Sequence, residues 1–182
     1  MCFITSRNRK VGTTMHIAIV YSSMSGNTEE VAMLIQESHA NRGDRVVLFE
    51  ADRIGHREAR SLATYDLVYF GSYTWADGVL PDEMKDTFRL VLKELDVPLR
   101  QAAVFGTGDK MFVHFCRAVD EMAYHLSKYG IPLAGETLKI EQSPRNQPYN
   151  VRHWAERLAR NAEEGVYVHE HSKDQTTVAQ TS

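Results

Sequence analysis

Four side chains able to donate hydrogen bonds fall within six residues at Ser23-Met24-Ser25-Gly26-Asn27-Thr28, directly behind the apolar run His16–Tyr21. A strand turning into a helix there would bring backbone N–H groups, the positive end of a helix dipole and Ser, Thr and Asn donors to one point. Gly26 lets the backbone come close. Such a loop holds a phosphate without a lysine or arginine. A serine-rich helix cap would account for the same residues without any ligand. No Gly-Lys-Ser/Thr ending follows, so the loop is not that of a nucleoside-triphosphate site. A second loop, Ser72 to Pro81, carries Trp75 among turn formers, where an exposed indole can cover one face of a planar ring. The competing reading folds Trp75 back onto the core. A third loop, Gly106 to Phe115, offers two glycines for close approach and Phe112 as a second aromatic wall. Gly106-Thr107-Gly108 is not a dinucleotide fingerprint, because Met111 stands where the third glycine belongs and the loop follows a fourth strand. Two aromatics on separate loops and a phosphate cradle describe a flat ring with a phosphorylated tail.

Strand-length apolar runs alternate with amphipathic helical stretches, and these elements must position the loops. The pattern predicts strands over His16–Tyr21, Arg45–Glu50, Leu67–Ser72, Gln101–Gly106 and Leu133–Ile140. It predicts helices over Asn27–Arg42, Asp82–Leu95, Phe115–Tyr129 and Val151–Ala162, with a short one near Arg57–Leu62. Five strands separated by helices imply a doubly wound parallel α/β sheet covered on both faces. In such sheets ligands sit beyond the carboxyl ends of the strands at the topological switch point. The loop after the second strand, Ala51 to Gly55, carries no comparable chemistry. That asymmetry is what the strand order 2-1-3-4-5 produces.

Size and composition fit one domain. The chain has 182 residues, 43% hydrophobic and 25% charged, with formal net charge −3. A mildly acidic chain does not suggest nucleic acid. No apolar run approaches the ~20 residues that span a bilayer, and two cysteines give no disulfide framework. The expected organisation is a disordered N-terminal extension over 1–14, a domain over 15–163 and a disordered tail over 164–182. The tail pair His169 and His171 is too isolated to propose as a metal site. A cytoplasmic protein is the expectation.

Taken together, these motifs resemble the flavodoxin family, short-chain type, across about residues 15 to 162. The resemblance is carried by Ser23-Met24-Ser25-Gly26-Asn27-Thr28-Glu29, by Gly71-Ser72-Tyr73-Thr74-Trp75 with Asp77-Gly78, and by Val104-Phe105-Gly106-Thr107-Gly108-Asp109 with His114-Phe115-Cys116. Gly135-Glu136-Thr137-Leu138-Lys139-Ile140 is similar to the family's last strand, which runs on without the long insertion of long-chain members. The resemblance implies a low-potential one-electron carrier that binds FMN and has no substrate turnover of its own. Ser23, Ser25, Asn27 and Thr28 would hold the phosphate, Thr74 and Trp75 one face of the isoalloxazine, and Phe112 the other. Backbone near Ala76, Gly108 and Asp109 would meet the ring's polar edge. Met24, Gly26, Ser72, Tyr73, Gly78, Thr107, Phe115 and Cys116 complete the implied cofactor-binding set. Redox proteins, a reductase as donor and an acceptor enzyme, would dock at an acidic rim of Asp77, Asp82, Glu83, Asp86, Asp109, Asp120 and Glu121, diluted by Lys110 and Arg117. The protein is expected to be a monomer.

Two positions depart from the family pattern. The outer stacking residue is usually Tyr and here is Phe112, which retains the ring and loses the hydroxyl. The residue after Trp75 is usually Gly and here is Ala76. In the family the peptide after that residue turns over on one-electron reduction, and a Cβ disfavours positive φ by ~1 kcal/mol. Ala76→Gly is therefore expected to separate the two one-electron couples further, read by potentiometric titration; an unchanged separation rejects the idea. A quinone or flavin reductase on the same fold, a ribonucleotide-reductase activator and a phospho-receiver module are the alternatives. The reductase would need a second pocket. The activator fits the Trp75 loop and Gly108-Asp109 less well. The receiver needs acids where Tyr21-Ser22 and Gly71-Ser72 stand. Cys116 lacks a fixed basic activator and reads as a buried helix thiol.

Overall fold

The computed structural model describes residues 14–75, 78–111 and 113–166. Nearly all of the expected N-terminal extension and of the expected C-terminal tail, with Ala76, Asp77, Phe112 and the His169/His171 pair, lies outside the described residues. Five strands form one sheet: β1 (His16–Ser22), β2 (Arg45–Glu50), β3 (Leu67–Tyr73), β4 (Ala102–Gly108) and β5 (Leu138–Glu141). Their order is β2-β1-β3-β4-β5 and each neighbouring pair is parallel. Residues alternate across it. Ala18, Val20, Val68, Phe70, Ala102 and Val104 face one core; Ile17, Ile19, Leu67, Tyr69, Ala103 and Phe105 face the other. Burial on both faces is why β1, β3 and β4 are nearly uninterrupted apolar runs.

Helices α1 (Asn27–Asn41) and α5 (Pro148–Glu164) cover the second core, through Val31, Ala32, Ile35, Val151, Trp154 and Leu158. On the first core lie α2 (His56–Ser61), α3 (Asp82–Phe88) and α4 (Arg117–Lys128), the last two through Met84, Phe88, Val119, Met122 and Leu126. The helix expected over Asp82–Leu95 changes pitch. After Phe88 a π-helical turn runs Arg89–Glu94, and the Leu95 N–H reaches back to the Leu90 carbonyl at 3.0 Å. Val91 and Leu92 both stay buried through the wider turn, so the apolar spacing does not betray it.

The expected strand Leu133–Ile140 is interrupted. Leu133 bridges Ala102, and pairing resumes at Leu138 opposite Phe105. The carbonyls of Ala134 and Glu136 turn from the sheet to α5, accepting from Asn161 Nδ2 at 2.9 Å and Trp154 Nε1 at 2.8 Å. Gly135 in the bulge packs where a Cβ would meet Leu158 Cδ2 at 2.3 Å. β2 has its expected bounds, while β1, β3 and β4 run further at their carboxyl ends than the sequence pattern predicts. β1 gains Ser22, β3 gains Tyr73, and β4 gains Thr107 and Gly108. Tyr73, Thr107 and Gly108 belong to the expected site; Ser22 does not.

Candidate functional site

Three loops leave the carboxyl ends of β1, β3 and β4. In the first, Gly26 adopts φ +89° and turns the chain into α1, where the Glu30 N–H closes on the Gly26 carbonyl at 2.9 Å. No side chain caps α1, so the serines are not there to serve a helix cap. The first-turn N–H groups of a helix have no partners within it and favour an anion.

In the second loop, the Thr74 N–H donates to the Thr107 carbonyl at 3.1 Å, tying it to β4. Trp75 and Val79 then exchange backbone hydrogen bonds of 3.0 and 2.9 Å across a tight hairpin. Trp75 stands 50% exposed, as a ring-covering indole requires and a core tryptophan does not. Gly78, at φ +97°, lies where a Cβ would sit 2.6 Å from His114 Cβ, so the second and third loops pack together.

In the third loop, Asp109 closes a turn by accepting from the Met111 N–H at 2.8 Å, and its other oxygen accepts from Gln142 Nε2 at 3.2 Å. Lys110 pairs with Glu141 at 2.6 Å and lies 5.7 Å over the Phe115 ring. Cys116 takes left-handed backbone angles, φ 51° and ψ 31°, just before α4. That turn delays the helix two residues beyond its expected start and folds the thiol inward. Cys116 Sγ is fully buried and lies 3.9 and 3.8 Å from the carbonyls of Gly106 and Ile140. Burial pushes the thiol pKa up to about 12. Cys116 is in the expected loop, but its side chain backs the site rather than opening onto it.

The hydroxyls sort themselves by partner. Ser72 Oγ donates to the Tyr73 carbonyl at 2.8 Å. Thr28 and Thr107 share a buried hydrogen bond of 2.8 Å, locking α1 to β4. Ser22 Oγ and Tyr73 Oη donate to the same oxygen of Glu83, at 2.6 and 3.1 Å. Burial first, and the Glu83 charge second, push the Tyr73 phenol up to about 12. Ser23 Oγ and Thr74 Oγ1 differ from all of these: both atoms are buried and neither has a partner. A buried hydroxyl without a hydrogen bond is costly. Two of them stand on adjacent loops, beside an uncapped helix and a half-exposed indole.

Sequence reasoning singled out Ser23, Thr74, Trp75 and the α1 turn. It treated Glu83 only as a rim charge at a helix start and gave Ser22 and Gln142 no role. Ser22 and Glu83 are 61 residues apart, and Thr28 and Thr107 are 79 apart; nothing local joins them.

The family model for flavodoxin matches residues 19–154. The chain belongs to the flavodoxin family. It is 38% identical over 131 residues to "Probable flavodoxin 2" of Bacillus subtilis (strain 168), covering 72% of this chain and 85% of that one. Among solved structures, the oxidised flavodoxin 2 of Bacillus cereus superposes with a TM-score of 0.72 at 38% identity, covering 80% of this chain and 98% of that one. A short-chain flavodoxin associated with a bacterial microcompartment superposes at 0.73 with 26% identity, covering 82% and 99%. Flavodoxins bind FMN and carry electrons between redox proteins, and that is the function of this chain. The orphaned hydroxyls, the uncapped α1 and the exposed indole of this flavodoxin suit that cofactor. Among the described residues no helix is long and apolar enough to cross a membrane.

Proposed function

We propose that FMN lies across the three loops, with its phosphate over the start of α1 and its ring against Trp75. The observation that carries the reading is the pair of buried, partnerless hydroxyls, Ser23 Oγ and Thr74 Oγ1. Ser23, Ser25, Asn27 and Thr28 hold the phosphate together with the backbone of Met24 and Gly26. Thr28 does so while bound to Thr107, whose hydroxyl fixes its rotamer. The cavity of about 400 Å³ beside the loop is lined by Tyr21, Ser22 and Ser23 and by the carboxylates of Glu29, Glu50, Asp52 and Glu83. Four carboxylates repel a phosphate dianion, so the anion belongs to the α1 turn and not to that cavity. Ser72, Tyr73, Gly78, Gly108, Asp109 and Phe115 shape the ring's surroundings, with Ala76 and Phe112 assigned from sequence alone. Cys116 packs beneath and keeps water from the Gly106 carbonyl side.

Bound FMN supplies one-electron transfer; the chain supplies binding, orientation and electrostatics. No substrate of its own is turned over: the isolated protein is expected to give no steady NAD(P)H oxidation. Partners are redox proteins that dock on the loop face of a monomer. A cytoplasmic setting is part of the same proposal. The test is fluorimetric titration of the apoprotein with FMN. Ser23→Ala and Thr74→Val should each weaken binding by about tenfold to a hundredfold, the worth of a hydrogen bond to a charged or desolvated group. Unchanged affinity in both variants would remove the phosphate and ring assignments.

A further inference from the structure

The end of β1, the end of β3 and the first turn of α3 meet at one carboxylate. Glu83 Oε1 accepts from Ser22 Oγ at 2.6 Å and from Tyr73 Oη at 3.1 Å. Its place just after Pro81, in the first turn of α3, favours the negative charge and hence the acceptor. Tyr73 in turn stands edge-on to Trp75, with ring centroids 6.3 Å apart and planes at 80°. Among the described residues, Tyr73 is the one aromatic partner the Trp75 ring has. The indole is otherwise half in solvent, on a hairpin only a few residues long. An exposed tryptophan on so short a turn has several rotamers open to it unless something restricts them.

We propose that Glu83 is a positioning residue of the cofactor site: its carboxylate fixes the Tyr73 phenol, and the Tyr73 ring fixes the Trp75 indole in the orientation that receives the flavin. The cavities support a mechanical role. Glu83 lines both the 400 Å³ cavity beside the phosphate loop and a second one of 530 Å³ along α3, and both also touch Ala51 and Asp52. Glu83 thus stands between the two spaces, and its truncation removes the acceptor that holds both Ser22 Oγ and Tyr73 Oη. The proposal rests on the reading that Trp75 meets the ring.

The rival role is purely electrostatic, a negative charge near an anionic cofactor. Three substitutions separate the two. Glutamine keeps an oxygen acceptor for both hydroxyls and removes the charge; alanine removes both. Tyr73→Phe keeps the ring and the charge and removes the tie.

The experiment measures FMN dissociation constants and, on the apoproteins, the near-ultraviolet dichroism and iodide quenching of tryptophan. Iodide reports Trp75, because Trp154 is 3% exposed. Expected results are that Glu83→Ala and Tyr73→Phe each weaken FMN binding by about tenfold, the loss of one well-placed hydrogen bond. Both should lower the dichroism and raise the quenching. Glu83→Gln should stay within about twofold of the wild type, and the double variant E83A/Y73F should be no worse than E83A, since both act on one link. If E83Q and E83A move together, charge is what matters and the proposal is overturned. Wild-type affinity together with an unchanged Trp75 signal in E83A or Y73F overturns it equally. Should E83A fail to fold, E83Q and Y73F still decide: a loss in Y73F with none in E83Q upholds the link, and any other pairing overturns it. The apoprotein readouts need no flavin. Loss of the Trp75 signal without loss of affinity would therefore reject the indole's role at the ring while leaving the Glu83–Tyr73–Trp75 link intact.

Discussion

Tyr69 lies wholly inside the molecule, and a histidine answers its hydroxyl. His39 Nε2 meets Tyr69 Oη at 2.8 Å, and His39 Nδ1 meets Asp44 Oδ2 at 2.8 Å. The other Asp44 oxygen accepts from the Met15 N–H at 3.0 Å, pinning the start of the sheet. Tyr69→Phe leaves a ring nitrogen of buried His39 without its partner and should cost about 1–3 kcal/mol in urea unfolding. Burial pushes the Asp44 carboxyl up, but the hydrogen bonds from His39 and the Met15 N–H, with Arg42 3.5 Å away, outweigh it and leave its pKa lowered from 3.8. A lowered carboxyl contributes stability above its ordinary value and loses it as pH falls through the folded one. Asp44→Asn should therefore flatten the acid limb of a stability–pH curve below about pH 4. The alkaline limb has the opposite sign. Cys116 and Tyr73 are raised to about 12 from 9.0 and 10.0, so each helps fully below its ordinary value and less as pH climbs towards 12. Cys116→Ala should flatten the curve between pH 9.0 and about 12, followed by near-ultraviolet dichroism. At this scale the sequence exposes which residue types could do chemistry. It hides which of them already have a partner, because those partners arrive from 61 and 79 residues away.

Among the elements, strand glycines allow close approach to their neighbours. A Cβ on Gly106 would sit 2.5 Å from the Ser72 carbonyl oxygen and 2.5 Å from Val119 Cγ2. A backbone carbonyl in a parallel sheet cannot step aside. Gly106→Ala should therefore cost at least about 1–3 kcal/mol, the penalty for overpacking, and should lower the thermal midpoint. Gly135→Ala meets only the tip of Leu158 at 2.3 Å and a side-chain nitrogen of Asn161 at 3.3 Å, and should cost less. Continuous apolar runs disclose β1, β3 and β4 because burial on both faces leaves no room for alternation. The breaks are harder to see. Leu133 to Ile140 is apolar at both ends with Gly135 and Glu136 between, and at the division a pair of α5 side chains, Trp154 and Asn161, claim its carbonyls. The π turn after Phe88 is hidden for the converse reason, since its apolar residues serve the same core in either pitch.

For the whole molecule, the electrostatic question is how far the acidic rim acts beyond itself. Asp82, Asp86 and Asp120 pair with Lys85, Arg89 and Lys139 at 3.1, 3.2 and 2.7 Å. Glu83 faces two hydroxyls, and Asp109 accepts from Gln142. Much of the rim is thus answered locally, which shortens its reach. Association with a basic redox partner should slow with added salt, but by less than about tenfold between low and physiological ionic strength. Stopped-flow electron transfer at several salt concentrations reads this directly, and a flat response removes steering altogether. The divided fifth strand has a consequence of another kind. It lies at the outer border of the sheet, where unpaired backbone invites a foreign chain to add itself. Here that border is four residues long beyond a bulge, and α5 already holds the carbonyls of the bulge. A second copy, or a half-made one, finds no flat template there on which aggregation could begin.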